Sequence, residues 1–191
     1  MFEKFLNGTR SILFFWLLIT IGAGCTQIPD GLKPVHSFDV DRYQGRWFEI
    51  MRLDHSFERG LSHVTATYGL RSDGTLSVFN RGLNKARCRW EEATGTAKFQ
   101  GDKTVGSLSV SFFWPFSGGY HIIELDETNY NYALVAGPSR EYLWVLSRKR
   151  SLQPKVVSML LASAKRSGFP VNELIAVDHR EHKCEVVSLD K

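Results

Sequence analysis

The chain has 191 residues, with 24 Lys and Arg against 20 Asp and Glu for a formal net charge of +4, and 43% of it is hydrophobic. No dense Lys/Arg stripe interleaved with aromatics accompanies that mild excess, so no nucleic-acid partner is implied, while a slight positive bias suits a protein near anionic lipid head groups. The sequence holds no internal repeat, no low-complexity segment and no second hydrophobic domain, which leaves one domain long enough to bury a full core.

Lys4 and Arg10 precede an uncharged run over 12–23 that holds Phe14, Phe15, Trp16, Leu17, Leu18 and Ile19. That run is short for a bilayer span but has the length of a signal-peptide core, so residues 1–24 read as an export signal. It stops at Gly22-Ala23-Gly24-Cys25, small residues before a cysteine, which resembles a bacterial lipoprotein cleavage site. At such a site the Cys25 thiol takes a diacylglycerol and the freed amine a fatty acyl chain. Several chains at ~0.8 kcal/mol per buried methylene make the anchor effectively permanent. Gly22 stands where an aliphatic residue is usual, with Ile21 just before it, so the alternative is a plain secretory signal that leaves Cys25 as a spare thiol. Residues 25–37, with Pro29, Gly31 and Pro34, read as a lipidated N-terminus and tether, and residues 38–191 as the folded domain. Without residues 1–24, whose Glu3, Lys4 and Arg10 sum to +1, the net charge becomes +3.

Eight strand-like runs follow, over 47–53, 63–70, 75–80, 90–99, 107–113, 120–125, 131–136 and 141–147, at the spacing of an up-and-down barrel. Asp73-Gly74 signals a two-residue hairpin turn, because Gly tolerates positive φ. Gly118-Gly119 and Gly137-Pro138 mark two further turns. One helix comes next: Pro154 suits its first turn, Gly168 suits its stop, and Val156, Val157, Leu160, Leu161 and Ala164 share a face, with Lys155, Ser158, Lys165 and Arg166 largely opposite. It is expected to pack outside the barrel, followed by a short closing strand over 174–177.

Gly45-Arg46-Trp47 opens the first run and is answered by Arg148 at the end of the last long one. Trp47 can lie across a barrel floor as a flat plug, Gly45 lets the backbone pass close beneath it, and the Arg148 guanidinium can stack on the indole. With Gly45-Arg46-Trp47-Phe48-Glu49-Ile50, Phe57-Glu58-Arg59-Gly60, Phe112-Phe113-Trp114-Pro115-Phe116-Ser117-Gly118-Gly119-Tyr120 and Tyr142-Leu143-Trp144-Val145-Leu146-Ser147-Arg148 in this order, the chain resembles the lipocalins. The likeness is to the bacterial outer-membrane lipocalin and apolipoprotein D group, over roughly 40–178. It implies an all-β fold, an eight-stranded antiparallel up-and-down barrel with one C-terminal helix packed outside. It also implies a lipid ligand, a membrane partner through the N-terminal anchor, and no cofactor; a homodimer is left open. Thr26 follows Cys25 where Asp would suggest inner-membrane retention, so the implied home is the outer membrane of a Gram-negative bacterium, on its periplasmic side.

With Cys25 lipidated, Cys88 and Cys184 remain as an even pair in an oxidising compartment. Many lipocalins tie the C-terminal tail to the barrel wall by a disulfide, and closing such a long loop removes about 4–5 kcal/mol of unfolded-state entropy in the chain-entropy model. His179, His182 and Cys184 offer a competing metal reading, weakened by their setting in a polar tail; no metal site is expected.

Alternation locates the cavity. Leu108, Val110, Phe112 and Trp114 share one face of their run while serines take the other, so the apolar face points inward. Tyr120 shares its inward face with Ile122, and Tyr142, Trp144 and Leu146 share a face with Arg148. Ala93, Gly95 and Ala97 are small residues that leave room on the opposite wall, and Met51 alternates inward with Trp47 and Glu49. A barrel so lined can hold a fatty acid, lysophospholipid or phospholipid chain. Glu49 needs a partner, since an unpaired inward carboxylate is costly, and Arg52 and His55 toward the open end are candidates for a ligand's phosphate or carboxylate. Two other classes compete: an isomerase-like lipocalin enzyme, which needs a free cavity thiol at Cys88, and a structural envelope protein whose barrel is filled by side chains. No nucleophile motif, phosphate loop or strong metal spacing supports an enzyme, and no His on a trusted inward face supports haem.

Overall fold

A computed structural model describes residues 26–180. After a short helix α1 (Val40–Tyr43), the strands are β1 (Gly45–Arg52), β2 (Leu61–Leu70), β3 (Leu76–Asn84), β4 (Arg89–Phe99), β5 (Ser107–Phe113), β6 (Phe116–Leu125), β7 (Tyr132–Ala136) and β8 (Leu143–Ser147). Then come α2 (Pro154–Arg166) and a two-residue β9 (Ile175–Ala176). From β1 to β8 each strand pairs antiparallel with the next, and β1 pairs also with β8, which closes an eight-stranded barrel; β9 adds to β1.

Sequence alone does not mark α1. Asp39 caps it, its Oδ1 accepting from the amides of Asp41 and Arg42 at 2.9 and 3.4 Å. The cap matters because α1 delivers Tyr43 to the barrel floor four residues before Trp47.

Two turns differ from the sequence reading. Between β2 and β3, Arg71 N–H donates to Thr75 O, so the loop holds three residues, Ser72, Asp73 and Gly74, with Gly74 at φ +80. A three-residue loop ending in a left-handed residue follows the strand twist as well as a two-residue turn does. Gly118-Gly119 is no turn at all: Phe113 pairs with Phe116 across Trp114-Pro115, and the two glycines lie inside β6 opposite Val110 and Ser109. The N-terminal segment crosses this point, and a Cβ on Gly119 would come within 2.8 Å of the Thr26 carbonyl, so close backbone approach is what demands glycine.

The strands divide two cores. Inward residues including Trp47, Leu76, Val78, Leu108, Ile122 and Leu146 fill the lower barrel. Outward residues Leu134, Ala136, Leu143 and Val145 of β7 and β8 meet Leu160 and Ala164 of α2. Gly168, at φ +81, stops α2 as expected: its N–H donates to Lys165 O and that of Phe169 to Ala164 O, the paired bonds of a Schellman end.

A bulge in β1 decides which way its residues face. The register against β8 slips between Glu49, opposite Leu146, and Met51, opposite Val145. Ile50 and Met51 therefore both turn outward onto the α2 core, and Arg52 turns in. Strict alternation had placed Met51 in the cavity; the extra residue moves it to the outside.

Candidate functional site

The closed end is built from α1, β1 and the residue after β8. Trp47 is fully buried, its ring 4.7 Å from that of Tyr43 and its Nε1 donating to Tyr43 O at 2.9 Å. The Arg148 guanidinium stacks 3.9 Å over the indole and donates to the carbonyls of Arg42, Arg46 and Tyr130 at 2.7, 3.0 and 3.2 Å. Gly45 is needed for its φ of +87; a Cβ there would only touch Arg148 Nη1 at 3.6 Å, so conformation rather than crowding selects it.

Above the floor lies a cavity of about 520 Å³. Its base carries three tyrosine hydroxyls in a chain, Tyr43 to Tyr120 at 2.7 Å and Tyr68 to Tyr120 at 2.9 Å. Burial raises all three phenols above their ordinary range, so they remain neutral donors and acceptors. Ala66, Val78, Val110, Phe112 and Leu146 supply most of the apolar wall above them.

Of the residues predicted to meet a ligand, Ala93, Val110, Phe112, Tyr120 and Trp144 line this cavity. Ala97 and Leu108 face inward but are packed into the lower core, Ala97 only 1% exposed. Trp114 does not face in: β5 ends at Phe113, alternation ends with it, and Trp114 is 91% exposed at the tip between Phe113 and Phe116. Tyr142 precedes β8 and stands outside the lining, its ring 6.2 Å from Trp144 and 6.3 Å from Phe57 at the rim. Sequence reasoning passed over Val64, Ala66 and Tyr68, which alternate along β2 as clearly as the residues chosen in β5.

Arg52 and His55 both meet protein groups, although Arg52 Nε and His55 Nδ1 stay buried without a partner among the described residues. Arg52 is buried, with Nη1 2.8 Å from Glu49 Oε1 and Nη2 donating to the carbonyls of Glu58 and Leu61 at 2.8 and 3.2 Å. His55 Nε2 lies 3.1 Å from Glu58 Oε2, which also accepts from Trp144 Nε1 at 3.2 Å. Two buried carboxyls thus share this wall, with opposite electrostatics. Burial, with the Glu58 charge next, holds Glu49 well above the usual carboxylate range despite Arg52. Burial also pushes Glu58 up, but the hydrogen bond and charge of His55, with Trp144 and Arg52 adding, outweigh it and leave Glu58 below that range.

The signs make a test. A raised folded-state pKa favours folding below the ordinary 4.5 and loses that contribution as pH rises through the shifted value. Glu49→Gln should therefore be at least as stable as wild type at pH 8. A lowered pKa works the other way, contributing stability above the ordinary 4.5 that is lost as pH falls through the lowered value, so Glu58→Gln should lose about 1–3 kcal/mol at pH 8 and less at pH 3. Urea midpoints at the two pH values check both; equal losses at pH 8 would refute the assignment.

The C-terminal segment straps the wall from outside. Lys85 Nζ meets Asp178 Oδ2 at 2.7 Å, and His179 Nε2 donates to Glu49 O at 2.6 Å. Cys88 is disulfide-bonded; Cys25, His182 and Cys184 lie outside the described residues. Among the described residues no helix is long and apolar enough to cross a membrane.

The lipocalin-like domain family matches residues 38–179. The outer membrane lipoprotein Blc of Vibrio cholerae is 46% identical over 168 residues, covering 88% of this chain and 98% of that protein. The protein of the same name from Escherichia coli is 51% identical over 149 residues, covering 78% and 84%. Among solved structures, insecticyanin from the tobacco hornworm Manduca sexta superposes with a TM-score of 0.67 at 22% identity, covering 84% of this chain and 90% of that one, a likeness of fold.

Proposed function

The chain belongs to the lipocalin family, and on that premise we propose that it is a lipid-anchored outer-membrane protein of a Gram-negative bacterium that holds fatty acid, lysophospholipid or phospholipid in its barrel, for storage or movement of membrane lipid. The observation that carries this reading is the open cavity of about 520 Å³, walled by aliphatic and aromatic side chains. A space of that size and lining suits an acyl chain, and at ~0.8 kcal/mol per methylene kept out of water it can shelter a long chain as a membrane does. The outer-membrane assignment is supported by the names of the Vibrio and Escherichia relatives.

Binding rather than catalysis is the better reading. The isomerase-like alternative needs a free thiol in the cavity, and Cys88 is disulfide-bonded; its proposed partner is Cys184. A purely structural barrel is disfavoured because side chains fill only the lower half. The anchor is tested by labelling with a clickable fatty acid in cells: wild type should label and fractionate with the outer membrane, and Cys25→Ser should do neither. Equal labelling of both would show that Cys25 is not the acylated residue.

A further inference from the structure

Exposed apolar surface gathers at one end of the barrel. β1 climbs from Gly45 at the floor to Arg52, so the loops that follow β1, β3, β5 and β7 stand at the open end. Phe57, Phe113, Trp114 and Phe116 sit in or beside those loops and are 60, 78, 91 and 76% exposed, while no other large apolar side chain among the described residues exceeds 46%. Phe57, Phe113 and Phe116 border the cavity, and Trp114 stands beyond them at the tip of the β5–β6 hairpin. Neighbouring aromatics bared in this way are rare on a surface that meets only water. Indole in particular favours the boundary between head groups and acyl chains, where the ring is sheltered and its N–H keeps a polar partner.

The path of the N-terminal segment says what covers this tip. Thr26, the first described residue, lies against the outer face of the same hairpin: its carbonyl accepts from Gln100 Nε2 at 2.8 Å and would stand 2.8 Å from a Cβ on Gly119. Gly119 is three residues along β6 from Phe116, about 10 Å at the rise of a strand. Cys25 directly precedes Thr26 in the chain. Acyl chains on Cys25 therefore keep the β5–β6 edge within a short tether of the membrane. The neighbouring part of the rim adds charge of the right sign: Arg87 and Arg89 are exposed there, 3.7 and 3.9 Å from Glu91, and such cations suit anionic head groups.

Resting on the Cys25 anchor proposed above, we propose that the β5–β6 tip is a second, non-covalent membrane contact. Trp114, flanked by Phe113 and Phe116, sits in the interface of the leaflet that holds the acyl chains, and so turns the mouth of the barrel toward the bilayer. Anchor and tip lie on one edge, so a tilt of the barrel toward that edge brings both to one plane. Phe113 and Phe116 then border the cavity on one side and the leaflet on the other, and a lipid passes between the two without crossing open water.

The test uses the mature protein purified from its own membrane and reconstituted into vesicles of phosphatidylethanolamine and phosphatidylglycerol, with part of the lipid brominated on acyl carbons near the head group. Bromine quenches tryptophan fluorescence only on contact. Wild type should float with the vesicles and be quenched, and Trp114→Phe should float equally and lose most of that quenching. The difference isolates Trp114 from Trp90 on the rim, Trp144 in the cavity and Trp47 in the floor, and a side chain this exposed can be replaced without harm to the fold. If both proteins float and are quenched alike, the tip stays out of the membrane; the inference is overturned and the anchor stands. If Trp114 emission is shifted to the blue but unquenched, and cross-linking doubles the mass, a second copy of the chain covers the tip, which also overturns it. A wild-type chain that carries no acyl mass and does not float would instead remove the anchor reading, and this inference with it.

Discussion

Trp47→Ala will lower the free energy of unfolding by about 3–5 kcal/mol, the range for emptying a large aromatic from a packed core. The indole is fully buried between the Tyr43 ring and the Arg148 guanidinium. Arg148→Ala should cost about 1–2 kcal/mol for the stacked cation, with a further loss from its bonds to three backbone carbonyls that tie α1, β1 and the segment before β7 together. The two effects are not independent. Once the indole is gone the guanidinium has no ring to stack on, so the double mutant should be less destabilised than the sum of the singles by about 1–2 kcal/mol. Denaturant midpoints for the four proteins give this coupling directly, and strictly additive losses would mean that ring and cation do not act on each other.

The floor was legible because its parts are chemically conspicuous: one Trp after a glycine, one Arg at the end of the last long strand, at opposite ends of a run of eight strands. The strands themselves were legible from alternation and turn residues, and β5 falls on the expected residues. The cavity was only half legible, since alternation reports which face a residue takes and not how high in the barrel it sits. Ala93 and Ala97 share a face, yet Ala93 borders open space and Ala97 touches the packed floor core. Met51 was misplaced because a bulge leaves no mark in a single sequence, and Trp114 because alternation was carried one residue past the end of a strand. Gly118-Gly119 looked like a turn because a glycine needed for close approach is indistinguishable, in sequence, from one needed for positive φ.

That difference in height yields the second large effect. Ala93→Trp places a large ring in the cavity's open volume, so the fold should survive, with an unchanged circular dichroism spectrum, while affinity for a long-chain lysophospholipid falls by roughly 100-fold or more, about 2.7 kcal/mol. Ala97→Trp should do the reverse. Its side chain is enclosed by Leu76, Leu108 and their neighbours in the lower core, and overpacking there should cost about 1–3 kcal/mol or more of stability. If Ala93→Trp unfolds the protein and Ala97→Trp only blocks binding, the cavity lies lower than the geometry places it.

The most direct measurement of the central claim is native mass spectrometry of the protein released gently from its own outer membrane, wild type beside Ala93→Trp. The account predicts a wild-type chain that begins at an acylated Cys25 and carries one non-covalent lipid, which dissociates on collisional activation, and an Ala93→Trp chain with the same anchor and no such lipid. A wild-type chain as bare as the variant, across preparations that keep the anchor intact, would contradict it.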